Sequence, residues 1–158
     1  MFVILHSGQT GVERGAHDSA VAAGFRIAGF MNATGRDELG PVPEQIAMHL
    51  QPAPDAGPRT AVRANLAIAH AAMVVVPKAS SADAFPAMDW IMRGVRRRGV
   101  PLLICDARTD VHRVAEWSME LREHVETCHV LVTGPRATRW QEGEELARRL
   151  VRRLALVE

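Results

Sequence analysis

The chain has 158 residues, 47% apolar and 23% charged, and its formal net charge is only +1. A chain of this length buries a core without disulfide or metal staples, so residues 1–158 are expected to form a single domain. So even a charge balance gives no overall pull toward nucleic acid or an anionic membrane, and neither is expected as a partner.

The N-terminus opens on a strand pattern without a basic leader, and no run of ~18 apolar residues follows anywhere. The expected setting is therefore cytoplasmic. Cys105 and Cys128 each fall inside an apolar run and form no C-x-x-C pair, which reads as two buried small hydrophobes in a reducing compartment.

In chain order, the apolar run Phe2–Leu5 predicts a first strand. The turn "SGQTG" at Ser7–Gly11 follows, and then a helix over Val12–Ala23. A second strand is expected at Phe25–Phe30. Residues Ala33–Pro58 break the rhythm with Gly35, Gly40, Pro41, Pro43, Pro52, Pro54, Gly57 and Pro58, and a short strand is expected there at Met48–Leu50. Helix and strand then alternate: helix at about Arg59–Ala71, strand at Met73–Val76, helix at Ala84–Arg98 and strand at Leu102–Cys105. A helix over Val111–Val125, a strand at His129–Val132 and a helix over Trp140–Leu156 complete the chain. The cluster Arg96–Arg98 reads as a solvated helix end closed by Gly99. This alternation predicts a parallel sheet. Because the strands are solidly apolar, both faces are covered, as in a doubly wound three-layer α/β/α sandwich.

In such a sheet, ligands sit beyond the carboxyl ends of the strands, where the loop after the first strand meets a helix N-terminus. Ser7, Gly8, Gln9, Thr10 and Gly11 occupy that place and offer backbone amides and two hydroxyls. The turn is neither a G-x-G-x-x-G fingerprint nor a P-loop. Two readings stand side by side: an anion cradle, or a tight turn in which Ser7 or Thr10 caps the helix. Arg14, on the first helical turn, either adds a forked donor to that cradle or pairs with Asp18 at four-residue spacing. Glu13 and Asp18 are candidate bases, although carboxylates near a helix start are also ordinary electrostatics. His17 reads as a partly exposed helix histidine. None of the histidines has metal-binding spacing, so no protein-ligated metal is expected.

The ordered pieces "SGQTGVERGAHDSAVAAG", "GR…LGPVPE", "RT", "N", "AAMVVV", "GVPLLICD" and "VLVTGPR" resemble the molybdenum cofactor carrier family. That family lies within the Rossmann-like SLOG superfamily, which also holds the cytokinin-activating phosphoribohydrolases. The resemblance implies a Rossmann-like fold in which Gly8–Gly11 cradle a phosphate and Arg14 faces it or braces the loop. It also implies that Arg36, Gly40 and Pro41 wall the pocket, that Arg59 or Arg63 supplies the family arginine near Asn65, and that Arg136 projects from the same edge. This chain departs from the family pattern at Ser7 and Glu13, where Gly and Asp are common, and at His70, where an acid is common. At the helix after Val76, Pro86-Ala87-Met88 replaces the family's Gly-Gly-Thr turn, so the second anion cradle is lost because proline donates no N–H. Lys78, Ser80, Ser81 and Asp83 offer different polar groups there, or form a solvated turn ending in an Asp or Ser cap. Trp90 reads as packing, and Trp140 as a seal for an oligomer contact.

These readings imply a binding protein for a phosphorylated, nucleotide-like small molecule, with the molybdenum cofactor as one such ligand, assembled as a dimer or tetramer. The alternatives are a nucleotide N-glycosidase, whose catalytic residue is not identified but whose carboxylate candidates are Glu13, Asp83 and Asp89, and a degenerate SLOG scaffold that has lost its pocket.

Overall fold

The computed structural model describes residues 1–155. Its centre is a parallel sheet built from β1 (Phe2–Leu5), β2 (Arg26–Ala28), β7 (Ala71–Val75), β8 (Leu102–Cys105) and β9 (Cys128–Thr133), in the order β2-β1-β9-β7-β8. The helices are α1 (Val12–Ala22), α2 (Glu44–Ala47), α3 (Thr60–Ile68), α4 (Pro86–Arg98), α5 (Val111–His124) and α6 (Gly143–Val151). Between β2 and α3, besides α2, lie two small pieces. A hairpin joins β4 (Arg36–Asp37) to β5 (Gly40–Pro41), and β3 (Phe30–Met31) pairs in parallel with β6 (Gln51–Pro52).

Strand alternation divides the core in two. Phe2, Ile4, Met73, Val75, Val130 and Val132 join buried residues of α1, α5 and α6 on one face. Val3, Leu5, Ala72, Val74 and Leu131 join residues of α3 and α4 on the other. Both faces of every central strand are thereby covered, which is why these segments read as unbroken apolar runs. The three-layer arrangement expected from the sequence is present.

The boundaries differ where local signals are ambiguous. Gly29, at φ 130°, separates β2 from β3, so the expected strand Phe25–Phe30 is two short ones. Met48–Leu50 is not a strand: it follows α2, and the pairing begins at Gln51, whose N–H donates to Gly29 O at 2.9 Å. The helix expected at Arg59–Ala71 spans Thr60–Ile68, because Ala71 already belongs to β7. At the C-terminus the helix begins at Gly143 and ends at Val151; the expected end at Leu156 lies outside the described residues. Gly99, at φ 67°, closes α4 after Arg96–Arg98 as expected. Cys105 and Cys128 are buried free thiols, and burial pushes Cys105 up to about 12.

Helices α1 and α6 cross in close contact. A Cβ on Gly15 would overlap the Glu144 carbonyl oxygen, and Ser19 Oγ donates to Arg148 O. Arg148 bridges back to Asp18 at 2.8 Å and to Glu144 at 3.0 Å. Helix propensity alone favours Ala over Gly by about 1 kcal/mol, but a backbone overlap at this contact costs more than that. Gly15→Ala is therefore expected to destabilise the protein by at least about 1–3 kcal/mol in chemical denaturation; a stabilised variant would show that α1 and α6 are not packed this closely.

Candidate functional site

Chain β1–α1–β2 runs to one side of the sheet and β7–α4–β8 to the other, with α1 and α4 on opposite faces. The winding reverses between β1 and β7, with β9 filling the gap. Three loops leave the carboxyl ends of these strands: residues 6–11, 134–138 and 76–85. A doubly wound sheet binds ligands at this reversal.

The first loop is held from below. The Ser7 N–H donates to Glu13 Oε1 at 2.5 Å, and the Gly8 N–H donates to His6 Nδ1 at 2.9 Å. Two of the amides expected to face a guest are thus already paired within the protein. Glu13 folds back from the first turn of α1 and is buried; burial raises its pKa to about 7, opposed by the Ser7 hydrogen bonds and by the nearby Arg136 and Arg14. Asn65 is fully buried and donates through Nδ2 to Ser7 Oγ at 3.0 Å and to Phe30 O at 3.1 Å, while its Oδ1 accepts from Phe30 N at 2.8 Å. One amide side chain on α3 therefore fixes both the first loop and the start of the irregular excursion. Neither Ser7 nor Thr10 caps α1: the N-cap is Gly11, without a side-chain hydrogen bond.

A second ring of contacts closes the loop from above. Arg14 donates to Gly8 O through Nε (3.2 Å) and Nη2 (3.1 Å) and pairs with Asp37 on β4 rather than with Asp18, which pairs with Arg148. Glu38, at the hairpin tip, accepts from the hydroxyls of Thr10 and Thr138 and from the Thr138 N–H at 3.3 Å. Thr10 Oγ1 in turn accepts from the Ala137 N–H at 3.1 Å. Burial alone would raise the Glu38 pKa, but the Thr10 and Thr138 hydrogen bonds and the adjacent Arg136 hold it below the usual carboxylate value. A Cβ on Gly11 would lie 2.7 Å from Ala137 N and Pro135 O, and one on Gly8 3.0 Å from Leu50 Cδ1. Only glycine lets the 134–138 loop and the Val42–Ile46–Leu50 cluster approach the turn this closely.

Other residues singled out in the sequence are dispersed. Gly40 is buried in the hairpin, while Arg36 and Pro41 are exposed on it. Arg59 stacks over Trp90, 4.8 Å from the ring centroid, and Trp90 packs against the second core. Lys78 and Ser80 are exposed and Ser81 half-buried around a 3-10 helix at Ala79–Ala84, and α4 starts at Pro86 without the expected Asp or Ser cap. Ala79 N–H instead donates to Asp106 Oδ2 at 2.8 Å, tying this loop to the end of β8. Arg136 is exposed beside Glu13 and Glu38. Gln9 Oε1 is buried without a hydrogen-bond partner among the described residues.

Residues 4–155 match the model of the circularly permutated YpsA SLOG family. The chain belongs to this family. In solved structures, this SLOG protein resembles the crystal structure, at 1.45 Å resolution, of a Syntrophus aciditrophicus SB protein named "Putative molybdenum carrier protein". The two share 21% identity over 99% of this chain and 94% of that one, with a TM-score of 0.81, a likeness of fold. No curated protein matches.

The SLOG protein also contains a feature its sequence did not disclose. His17 is buried rather than partly exposed, and its Nδ1 lies 3.0 Å from His6 Nε2. Since His6 Nδ1 accepts from Gly8 N–H, its proton sits on Nε2 and is donated to His17. Burial and the neighbouring His17 and Arg14 hold His6 down at about 3, so His6 is neutral, and burial lowers His17 as well. His49 stacks edge-on against His17, with ring centroids 5.4 Å apart, at a cleft of about 450 Å³ lined by Asp18, Val21, Ile46 and Met48. Spacing at i and i+11 across a turn carries no periodic signal, so only the fold brings His6 and His17 together. Among the described residues, no group of three or more His, Cys, Asp or Glu side chains is placed to hold a metal ion. No helix among them is long and apolar enough to cross a membrane.

Two stability consequences follow from these buried polar groups. Asn65→Ala strands Phe30 N–H and removes the donor to Ser7, so a loss of about 2–4 kcal/mol in denaturant unfolding is expected. Glu13 keeps a proton in the folded state that the unfolded chain releases between its ordinary value of 4.5 and about 7. Its contribution therefore declines as pH rises through that window. Glu13→Gln removes this slope, so the stability of the variant relative to the parent should climb from pH 4.5 to pH 7; a flat difference would show that Glu13 is not shifted upward.

Proposed function

We propose that this chain binds a small phosphorylated, nucleotide-like ligand at the carboxyl edge of the sheet, as a carrier and not as a hydrolase. The observation that carries this reading is the convergence of two hydroxyls, an amide and a guanidinium at the reversal point of the winding. Thr10, Thr138 and Arg136 there already hold a negative charge, that of Glu38, below its usual pKa. Hydroxyl, N–H and guanidinium donors are the set that recognises phosphate oxygens. Gln9 Oε1, buried without a partner among the described residues and beside these groups in the chain, adds an acceptor for a ligand N–H or O–H. The name of the Syntrophus protein, together with a ligand-binding role for the family, favours the molybdenum cofactor as the ligand class. Its phosphate would lie on Thr10, Thr138 and Arg136, and the molybdenum centre would travel as cargo without protein side-chain ligands.

Within this reading Arg14 is a brace. Its guanidinium is spent on Gly8 O and on Asp37, whose side chain is 3% exposed. The hydrolase alternative needs a carboxylate free to face a sugar. Glu13 lies beneath the loop on Ser7, Asp89 pairs with Arg93 at 3.1 Å, and Asp83 is exposed on the 3-10 segment.

Native mass spectrometry of the purified protein should retain a phosphorylated small molecule. Arg136→Ala should weaken its binding at least tenfold in calorimetry with an unchanged melting temperature, because Arg136 is exposed. Arg14→Ala should instead lower stability by about 2–4 kcal/mol, since it leaves Asp37 buried and unpaired. Equal affinity in the Arg136 variant, or release of free base from nucleoside monophosphates, would overturn the carrier reading.

A further inference from the structure

We propose that Glu38 is an internal mimic of the ligand's anionic group, and that the tip of the β4–β5 hairpin is a latch which a phosphate monoester displaces by taking the same donors. This deepens the reading above and rests on it.

Glu38 spans two otherwise separate parts of the chain. Both carboxylate oxygens are engaged, one by Thr10 Oγ1 and Thr138 N–H and the other by Thr138 Oγ1, with Arg136 close by. That pattern, two oxygens on hydroxyl, amide and guanidinium donors from the loops after β1 and β9, is how a phosphate is held. An exogenous phosphate cannot share these donors while the carboxylate remains, because the charges would repel and the hydroxyls are spent. The carboxylate sits half-buried on a tip open to solvent. Leu39 beside it is 75% exposed, and added Cβ atoms at Gly35 (φ 67°), just before β4, and at Gly40 (φ 139°), the first residue of β5 after the tip, meet nothing within 4 Å. Within the tip, Asp37 Oδ1 accepts from Leu39 N at 2.7 Å and Gly40 N at 3.0 Å, so the turn keeps its shape when Glu38 lets go. The Arg14–Asp37 pair fixes the residue just before Glu38, and the 2.9 Å hydrogen bond from Val42 N to Gly35 O closes the base, so the moving part is the tip at Glu38 and Leu39. Glu38 alone among the hairpin carboxylates reaches across to the 134–138 loop.

A latch lowers apparent affinity by the fraction of molecules that are open. Inorganic phosphate and adenosine monophosphate are titrated by calorimetry into the parent protein and into Glu38→Ala, Glu38→Asp and Glu38→Ala/Thr138→Val. Glu38→Ala should bind phosphate and the nucleotide at least tenfold more tightly than the parent. Glu38→Asp keeps the charge but is one methylene too short to reach Thr10 and Thr138, so it should also gain, by at least about threefold. Adding Thr138→Val should abolish the gain. A gain for free phosphate alone assigns the site to the inorganic ion and keeps the latch. A gain in Glu38→Ala with none in Glu38→Asp would mean simple charge repulsion and overturn the latch. So would unchanged affinity in both variants while Arg136→Ala still weakens binding, an outcome that leaves the anion site standing. No binding in any variant would overturn both. Thermal unfolding of each variant checks the fold, and the conservative Glu38→Asp keeps the test valid if Glu38→Ala does not fold.

Discussion

Donors around the turn after the first strand find acceptors within the protein, in three carboxylates and in His6, which takes the Gly8 amide. Glu13 takes Ser7 from beneath and Glu38 takes Thr10 and Thr138 from above, while Asp37 holds the Arg14 that clamps the Gly8 carbonyl. The consequence is a loop whose hydroxyls and clamp are already engaged within the protein. A glycine turn at a helix start has partial positive charge whatever else is near, so acidic side chains collect there. Whether those side chains are permanent ballast or stand in for a ligand depends on how each is attached. Glu13 is buried on α1 and fixed, whereas Glu38 rides on the exposed tip of a hairpin.

This division explains the different parts played by the arginines. Arg14 is drawn inward because the Gly8 carbonyl and a buried carboxylate both require a donor, and its fork satisfies the two at once. Arg136 leaves the end of β9 into solvent, yet lies near enough to bias both Glu13 and Glu38. A cation that is exposed but electrostatically coupled to the loop can exchange one anion for another without disturbing the core.

The histidine pair beneath the turn adds a further constraint. His6 receives the Gly8 amide and passes its own proton toward His17, so the loop conformation depends on His6 staying neutral. Asn65 performs the corresponding task on the other side of Ser7. The loop is therefore set by buried polar groups from three places: His6 just after β1, Glu13 and His17 on α1, and Asn65 on α3.

The layered sheet was legible in the sequence because apolar runs such as Ala71–Val76 and Leu102–Cys105 have one physical explanation, burial on both faces. The turn Ser7–Gly11 was legible for a similar reason: glycine spacing and position after a strand are local facts. The partners of that turn were not. Asp37 and Glu38 sit next to Arg36 in sequence, which suggests mutual neutralisation, but the hairpin turns both toward other loops. Likewise Arg14 and Asp18 have helical pairing distance, but Asp37 and Arg148 outcompete each for the other. Sequence alone determined which backbone could bend and which faces had to be buried, since those depend on neighbours a few residues away. Only the tertiary structure decided which charge meets which donor, because that choice is made between segments 23 to 130 residues apart, where proximity is set by packing and not by spacing.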